Sequence, residues 1–132
     1  MNLSEISALG ATLRRIDRKL LKTTKSNHIE RIWYQGEEPY FDVFFDLLDH
    51  EVIWFQFTLR GQCLTWHQNQ PGLETGLTFE NQTTPSKHPA SKIIHADNNV
   101  DCNFLDIVLA IMQTRASEFP FDRALAILEN YP

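Results

Sequence analysis

The clearest pattern of hydrophobic and polar positions lies in residues 40–68, YFDVFFDLLDHEVIWFQFTLRGQCLTWHQ. Residues 41–47 and 53–59 each place an apolar side chain at every second position. Side chains of a β-strand alternate between its two faces, so each run predicts a strand with one apolar face. A third strand follows the turn at Arg60 and Gly61, where glycine can adopt positive φ. We therefore predict a three-stranded antiparallel meander at the centre of the core.

Turn lengths predict the register of this meander. A three-residue loop at positions 49–51 sets Phe45 opposite Phe55 and Leu47 opposite Ile53, whereas a two-residue loop would bring polar Asp46 into the apolar face. We call the apolar side the core face. Its predicted members are Phe41, Val43, Phe45, Leu47, Ile53, Phe55, Phe57, Leu59, Leu64 and Trp66.

The opposite side of the meander, which we call the second face, mixes aromatic and polar residues. In the predicted register Asp46, Trp54 and His67 form one row across three strands, with Asp46 and His67 about 9–10 Å apart at the backbone. Aromatic residues clustered with polar groups are common at binding surfaces. The candidate ligand- or partner-binding residues are Tyr40, Asp42, Asp46, Trp54, Gln56 and His67.

The N-terminal segment predicts a helix of four to five turns capped by Ser4. Leu9, Leu13, Ile16 and Leu20 recur at helical spacing and form its apolar stripe. The other side of this helix is basic, which suggests docking onto an acidic protein or a solvated surface. The residues of this basic helix face are Arg14, Arg15, Arg18, Lys19 and Lys22.

The remaining elements complete an α+β domain. We predict a strand at 28–35 before the meander, a short strand at 77–79 with Leu77 inward, and an edge strand at 91–95. A helix capped at 97–99 and a last helix starting near Phe119 and Pro120 follow. Helices at both ends of a continuous antiparallel sheet predict one domain, residues 1–132, with five or six strands and the two C-terminal helices packed on one sheet face.

Composition and charge narrow the class of protein. The chain has 132 residues, 42% of them hydrophobic and 22% charged, which is typical of a single folded domain. No apolar run reaches the roughly 20 residues needed to cross a bilayer. The first residues lack a secretory-signal pattern, so we expect a cytoplasmic protein. The two cysteines, Cys63 and Cys102, form no CxxC motif and are expected to be reduced.

The charge is unevenly distributed. The net charge of the chain is −5, yet its first 25 residues carry 6 bases and 2 acids. The acidic remainder and the pI near 5.4 argue against nucleic acid as a partner. We expect a protein partner instead, including a second copy of the chain in a homodimer.

Motifs that would indicate catalysis or a cofactor are absent from the sequence. The five histidines show no close metal-ligand spacing, and there is no GxSxG, GxGxxG or P-loop motif. We therefore predict no cofactor and no metal. Only the carboxylate and imidazole of Asp46 and His67, on either side of Trp54, resemble an acid–base site.

These observations favour a non-catalytic protein-interaction module, for example an adaptor, a chaperone-like protein or an inhibitor of the immunity-protein type. The alternative is a small-molecule binder or enzyme that uses the second face around Asp46, Trp54 and His67. A pocket in which Asp46 and His67 converge would favour the alternative.

Overall fold

The computed structural model describes residues 1–16, 29–78, 93–96 and 100–130, with only the backbone described at 70–72 and 93–96. It confirms the α+β fold, with a helix, an antiparallel meander and two C-terminal helices. The described residues form seven strands that lie in chain order within one sheet, and the first strand has only two residues. The elements are α1 Leu3–Thr12, β1 Arg14–Arg15, β2 Ile29–Gln35, β3 Asp42–Leu48, β4 Glu51–Leu59, β5 Gln62–His67, β6 Gln70–Thr78, β7 Ile93–Ala96, α2 Cys102–Gln113 and α3 Phe121–Glu129.

The core lies between the core face of the sheet and the two C-terminal helices, as predicted. Aromatic rings join the layers: Phe57 meets Phe104 of α2 edge-on at 6.3 Å between centroids, and Phe45 meets Phe121 of α3 at 5.2 Å. Both geometries suit the electrostatics of aromatic pairs. Within the part of the chain that the structure describes, no helix is long and apolar enough to cross a membrane.

The hairpin of β3 and β4 has the predicted register at its centre, but the pairing next to its turn differs from the prediction. Phe45 lies opposite Phe55, whereas Leu47 lies opposite Val52, because Ile53 forms a bulge. The connection is a two-residue turn, with φ of 51° at Asp49 and 67° at His50. The predicted three-residue loop was therefore wrong, and Val52 rather than Ile53 is the buried residue at this end. One bulged residue restores the register that the shorter turn would have shifted.

The next hairpins agree in part with prediction. The turn at Arg60 and Gly61 has two residues, both with positive φ, and sets Phe57 opposite Leu64. β6 is longer than the predicted strand. Leu77 was predicted to point inward, but it is 49% exposed.

The N-terminal helix is shorter than predicted. α1 begins after Asn2, whose Oδ1 accepts a hydrogen bond from the backbone N–H of Glu5, so Asn2 rather than Ser4 is the cap. It ends at Thr12, and Leu13 is extended with ψ of 123°. The prediction of a continuous helix through residue 20 was therefore wrong at residues 13–16.

Arg115 explains why the helix ends there. Its Nη1 donates hydrogen bonds to the backbone carbonyls of Gly10 at 2.9 Å and Leu13 at 2.7 Å, and its other nitrogens bind the Glu118 carboxylate. These bonds satisfy carbonyls at the end of α1, where the i+4 helical donors are missing and Gly10 otherwise accepts only a bond of 3.3 Å from the N–H of Leu13. We call this set of contacts the Arg115 clasp. The clasp ties α1 to the turn between α2 and α3.

Because α1 ends at Thr12, the predicted basic helix face is not formed as predicted. Arg14 and Arg15 lie in β1, paired with Gln35 and Tyr34 of β2, and not on a helix. The other three predicted members, Arg18, Lys19 and Lys22, lie outside the described residues. The helix cap predicted at 97–99 also lies outside them, and the observed cap of α2 is Asp101, whose Oδ1 accepts from the N–H of Phe104.

Candidate functional site

The register of the sheet arranges the second face in rows that cross the strands. One row contains Arg31, Asp46, Trp54 and His67, on β2, β3, β4 and β5. The predicted alignment of Asp46, Trp54 and His67 is thus confirmed, and Arg31 extends it by one strand. The next row contains Trp33, Phe44, Gln56, Thr65 and Glu74.

The half of the second face near the Arg60–Gly61 turn is closed to solvent. Phe44 is 1% exposed and Cys63 is fully buried, although neither contributes to the core face. Burial raises the pKa of the Cys63 thiol to about 11, so this thiol stays protonated at neutral pH. Gln56 and Thr58 are also buried here. This half therefore acts as a second, smaller core rather than as a binding surface.

Asp42 brings a carboxylate into this closed region. The indole N–H of Trp33 donates a hydrogen bond of 2.8 Å to its Oδ1. Burial raises the pKa of Asp42, and the bond from Trp33 partly offsets this effect by favouring the charged form. Because the folded-state pKa lies above the unfolded value, Asp42 makes the fold less stable as the pH rises between those two values.

A substitution of Asp42 tests whether its ionisation lowers the stability of the fold. The substitution Asp42→Asn would keep an acceptor for Trp33 without a charge, so we expect it to stabilise the protein at pH 7 by on the order of 1 kcal/mol. The gain should shrink as the pH falls toward the ordinary carboxyl range, where Asp42 is protonated anyway. Urea unfolding at several pH values measures this, with Asp106→Asn on the exposed side of α2 as the control. A gain that does not change with pH would contradict the assignment.

Arg31 and Asp46 form the charged centre of the row. Arg31 donates from Nε to Oδ1 at 2.7 Å and from Nη2 to Oδ2 at 3.0 Å, a two-bond arrangement that holds both groups. The guanidinium also lies over the rings of Trp54, at 5.0 Å, and Phe44, at 5.8 Å. Trp33 stacks on Phe44 at 5.4 Å, which continues the stack along the face. The side chains of this row are therefore held in place before any partner arrives.

An acid–base pair is not formed by Asp46 and His67. Both oxygens of Asp46 accept from Arg31, and Nδ1 of His67 accepts from the backbone N–H of Asn69 at 3.0 Å. Trp54 lies between the two residues in the register. Among the residues that the structure describes, no three His, Cys, Asp or Glu side chains are grouped as a metal site would require.

The half of the second face near the turn between β3 and β4 is open to solvent. Leu48, paired with Ile29, is 37% exposed, and Trp54 is half-buried. Arg31 retains 30% side-chain exposure. We define the open half as this group together with neighbouring polar residues. Its members are Ile29, Arg31, Asp46, Leu48, Glu51, Trp54, His67 and, at its border on β6 in the next row, the exposed Glu74.

The candidate residues from the sequence thus separate into three groups. Asp46, Trp54 and His67 share the open half, whereas Asp42 and Gln56 belong to the closed half. Tyr40 is 48% exposed, but it precedes β3 and so lies at the far end of that strand.

Sequence reasoning missed Arg31 and Trp33. The period-two alternation of residues 29–35, in which Ile32 and Tyr34 are buried, could have placed both on the second face.

Comparisons with protein-family models, curated proteins and solved structures find no match to this chain. Its function must therefore be argued from its own residues.

Proposed function

We propose that this protein is a non-catalytic protein-interaction module that binds its partner through the open half of the second face. The observation that carries the proposal is the half-buried Trp54 beside exposed Leu48, with Arg31 fixed next to it by Asp46. Tryptophan and arginine are enriched among the residues that dominate binding energy at interfaces. Because these side chains are already ordered, binding costs less conformational entropy.

A small-molecule or catalytic role at the same place has less support. An acid–base catalytic role needs a carboxylate or imidazole available for proton transfer. Here the Asp46 carboxylate is engaged by Arg31, and Nδ1 of His67 is engaged by Asn69. We also propose that the partner is a different protein rather than a second copy. The closed half is already buried within one chain, so a homodimer is not needed to cover its aromatic residues.

Affinity purification of native complexes from the source cell tests the proposal. We expect a specific protein to be retained by the wild type and lost with Trp54→Ala or Leu48→Ala, each substitution weakening binding about tenfold. Leu3→Ala is the matched control, because Leu3 is 81% exposed and lies at the start of α1. Circular dichroism checks that each variant is folded.

Two results would contradict the proposal. One is a partner that binds wild type and Trp54→Ala equally well. The other is a co-purifying metabolite without any protein, which would favour the small-molecule alternative.

A further inference from the structure

The charges around the open half indicate what kind of partner it accepts. Among the described residues fourteen acidic side chains stand against six arginines. Five of the six arginines already form ion pairs within the chain. Within the described part of the chain, the charge that remains for a partner is therefore predominantly acidic.

Two of the acids without an ion pair among the described residues flank Trp54. Glu51 is exposed and paired with Leu48 in the ladder, on the same face as Trp54. Glu74 is exposed on β6 and paired with Thr65, so it lies in the row next to that of Trp54 and His67. Trp54 lies between these two acids, and the exposed side chain of Leu48 lies next to Glu51 on the neighbouring strand β3. A cationic side chain with an apolar stem would find both kinds of contact here.

Trp54 already makes a cation–π contact within the chain. The guanidinium of Arg31 lies 5.0 Å from its ring, which shows that this indole sits where a cation–π contact forms. Arg31 is neutralised by Asp46, so the pair adds no net positive charge that would repel a basic partner.

We infer that the open half binds a basic, partly apolar protein segment, with arginine or lysine side chains at Glu51 and Glu74 and an apolar side chain against Trp54 and Leu48. This inference rests on the proposed function and specifies the chemistry of the partner. Opposite charges speed the encounter and select the partner, and the apolar centre contributes the contact area.

Peptide titration tests the inference with defined probes. One probe is a short peptide that alternates arginine with leucine, and the other has glutamate in place of arginine. Binding of each peptide to the protein is measured by Trp fluorescence and by NMR. We expect the basic peptide alone to bind, and we expect Glu51→Gln with Glu74→Gln to weaken it about fivefold. Asp106→Asn with Glu129→Gln removes the same net charge on the helical side and should change affinity less than about twofold.

The outcomes separate the two proposals. Equal weakening by both pairs of substitutions, or equal binding of both peptides, would overturn the inference and leave the proposed function standing. Binding of the basic peptide that Trp54→Ala does not change would count against both. A wild-type dimer in sedimentation that Trp54→Ala disrupts would identify a second copy as the occupant and overturn the basic partner.

Discussion

Arg115→Ala should lower the free energy of unfolding by about 3 kcal/mol. The side chain is only 20% exposed and makes four hydrogen bonds, two to the carbonyls of Gly10 and Leu13 and two to Glu118. Its guanidinium also lies 5.4 Å from the ring of Phe121. Alanine would remove the Arg115 donors from both carbonyls and from Glu118, leaving Gly10 only the long bond from the N–H of Leu13 at 3.3 Å and Glu118 only that from the Tyr34 hydroxyl at 3.5 Å. The loss of a donor costs more than the bond itself contributed.

Urea unfolding measures this effect, and two further variants define it. Arg115→Lys keeps the charge but cannot reach all four acceptors, so we expect it to recover less than half of the loss. Arg123→Ala is the control, because Arg123 is 65% exposed and lies 4.0 Å from Asp122. It should change stability by less than about 0.5 kcal/mol. Full stability of Arg115→Lys would show that charge alone matters.

Gly36→Ala should destabilise the protein by about 2 kcal/mol. A Cβ at Gly36 would lie 2.1 Å from Cδ2 of Phe41, a ring that is fully buried and packs against Phe57 at 5.7 Å. The ring cannot move without displacing the core. The smaller entropy gain from replacing glycine, about 0.4–1 kcal/mol, offsets only part of this cost.

A double-mutant cycle distinguishes this clash from a general effect of the substitution. Phe41→Leu alone should cost stability, but it should make room for Ala at position 36. The combined variant should therefore lose less than the sum of the two single losses. Additive losses would place the effect of Gly36→Ala elsewhere than at the Phe41 ring.

The two faces of the sheet were more predictable from sequence than the turns at which its strands end. Period-two alternation defines both faces of the meander, and the row Asp46, Trp54, His67 follows directly from it. The bulge at Ile53 was not predictable in this way, because a three-residue loop and a two-residue turn with a bulge place Phe45 opposite Phe55 equally well. Only the local backbone distinguishes these two solutions.

The division of the second face was beyond sequence reasoning for a different reason. Asp42 and Asp46 are both half-buried aspartates on one face of β3, yet Asp42 accepts a hydrogen bond from Trp33 and Asp46 forms an ion pair with Arg31. Both outcomes depend on β2, whose register with β3 is set across a six-residue connection at 36–41. Helical periodicity likewise could not reveal the end of α1, because the Arg115 clasp comes from a residue 105 positions away from Gly10.

The Arg115 clasp also bears on how the chain folds. Every strand of the sheet pairs with its neighbour in sequence, so the meander can grow hairpin by hairpin with little loop-closure entropy at each step. Contacts between α1 and Arg115 instead join the two ends of the chain. If they form after the rate-limiting barrier, the clasp governs the lifetime of the native state, and its loss accelerates unfolding while refolding keeps its rate.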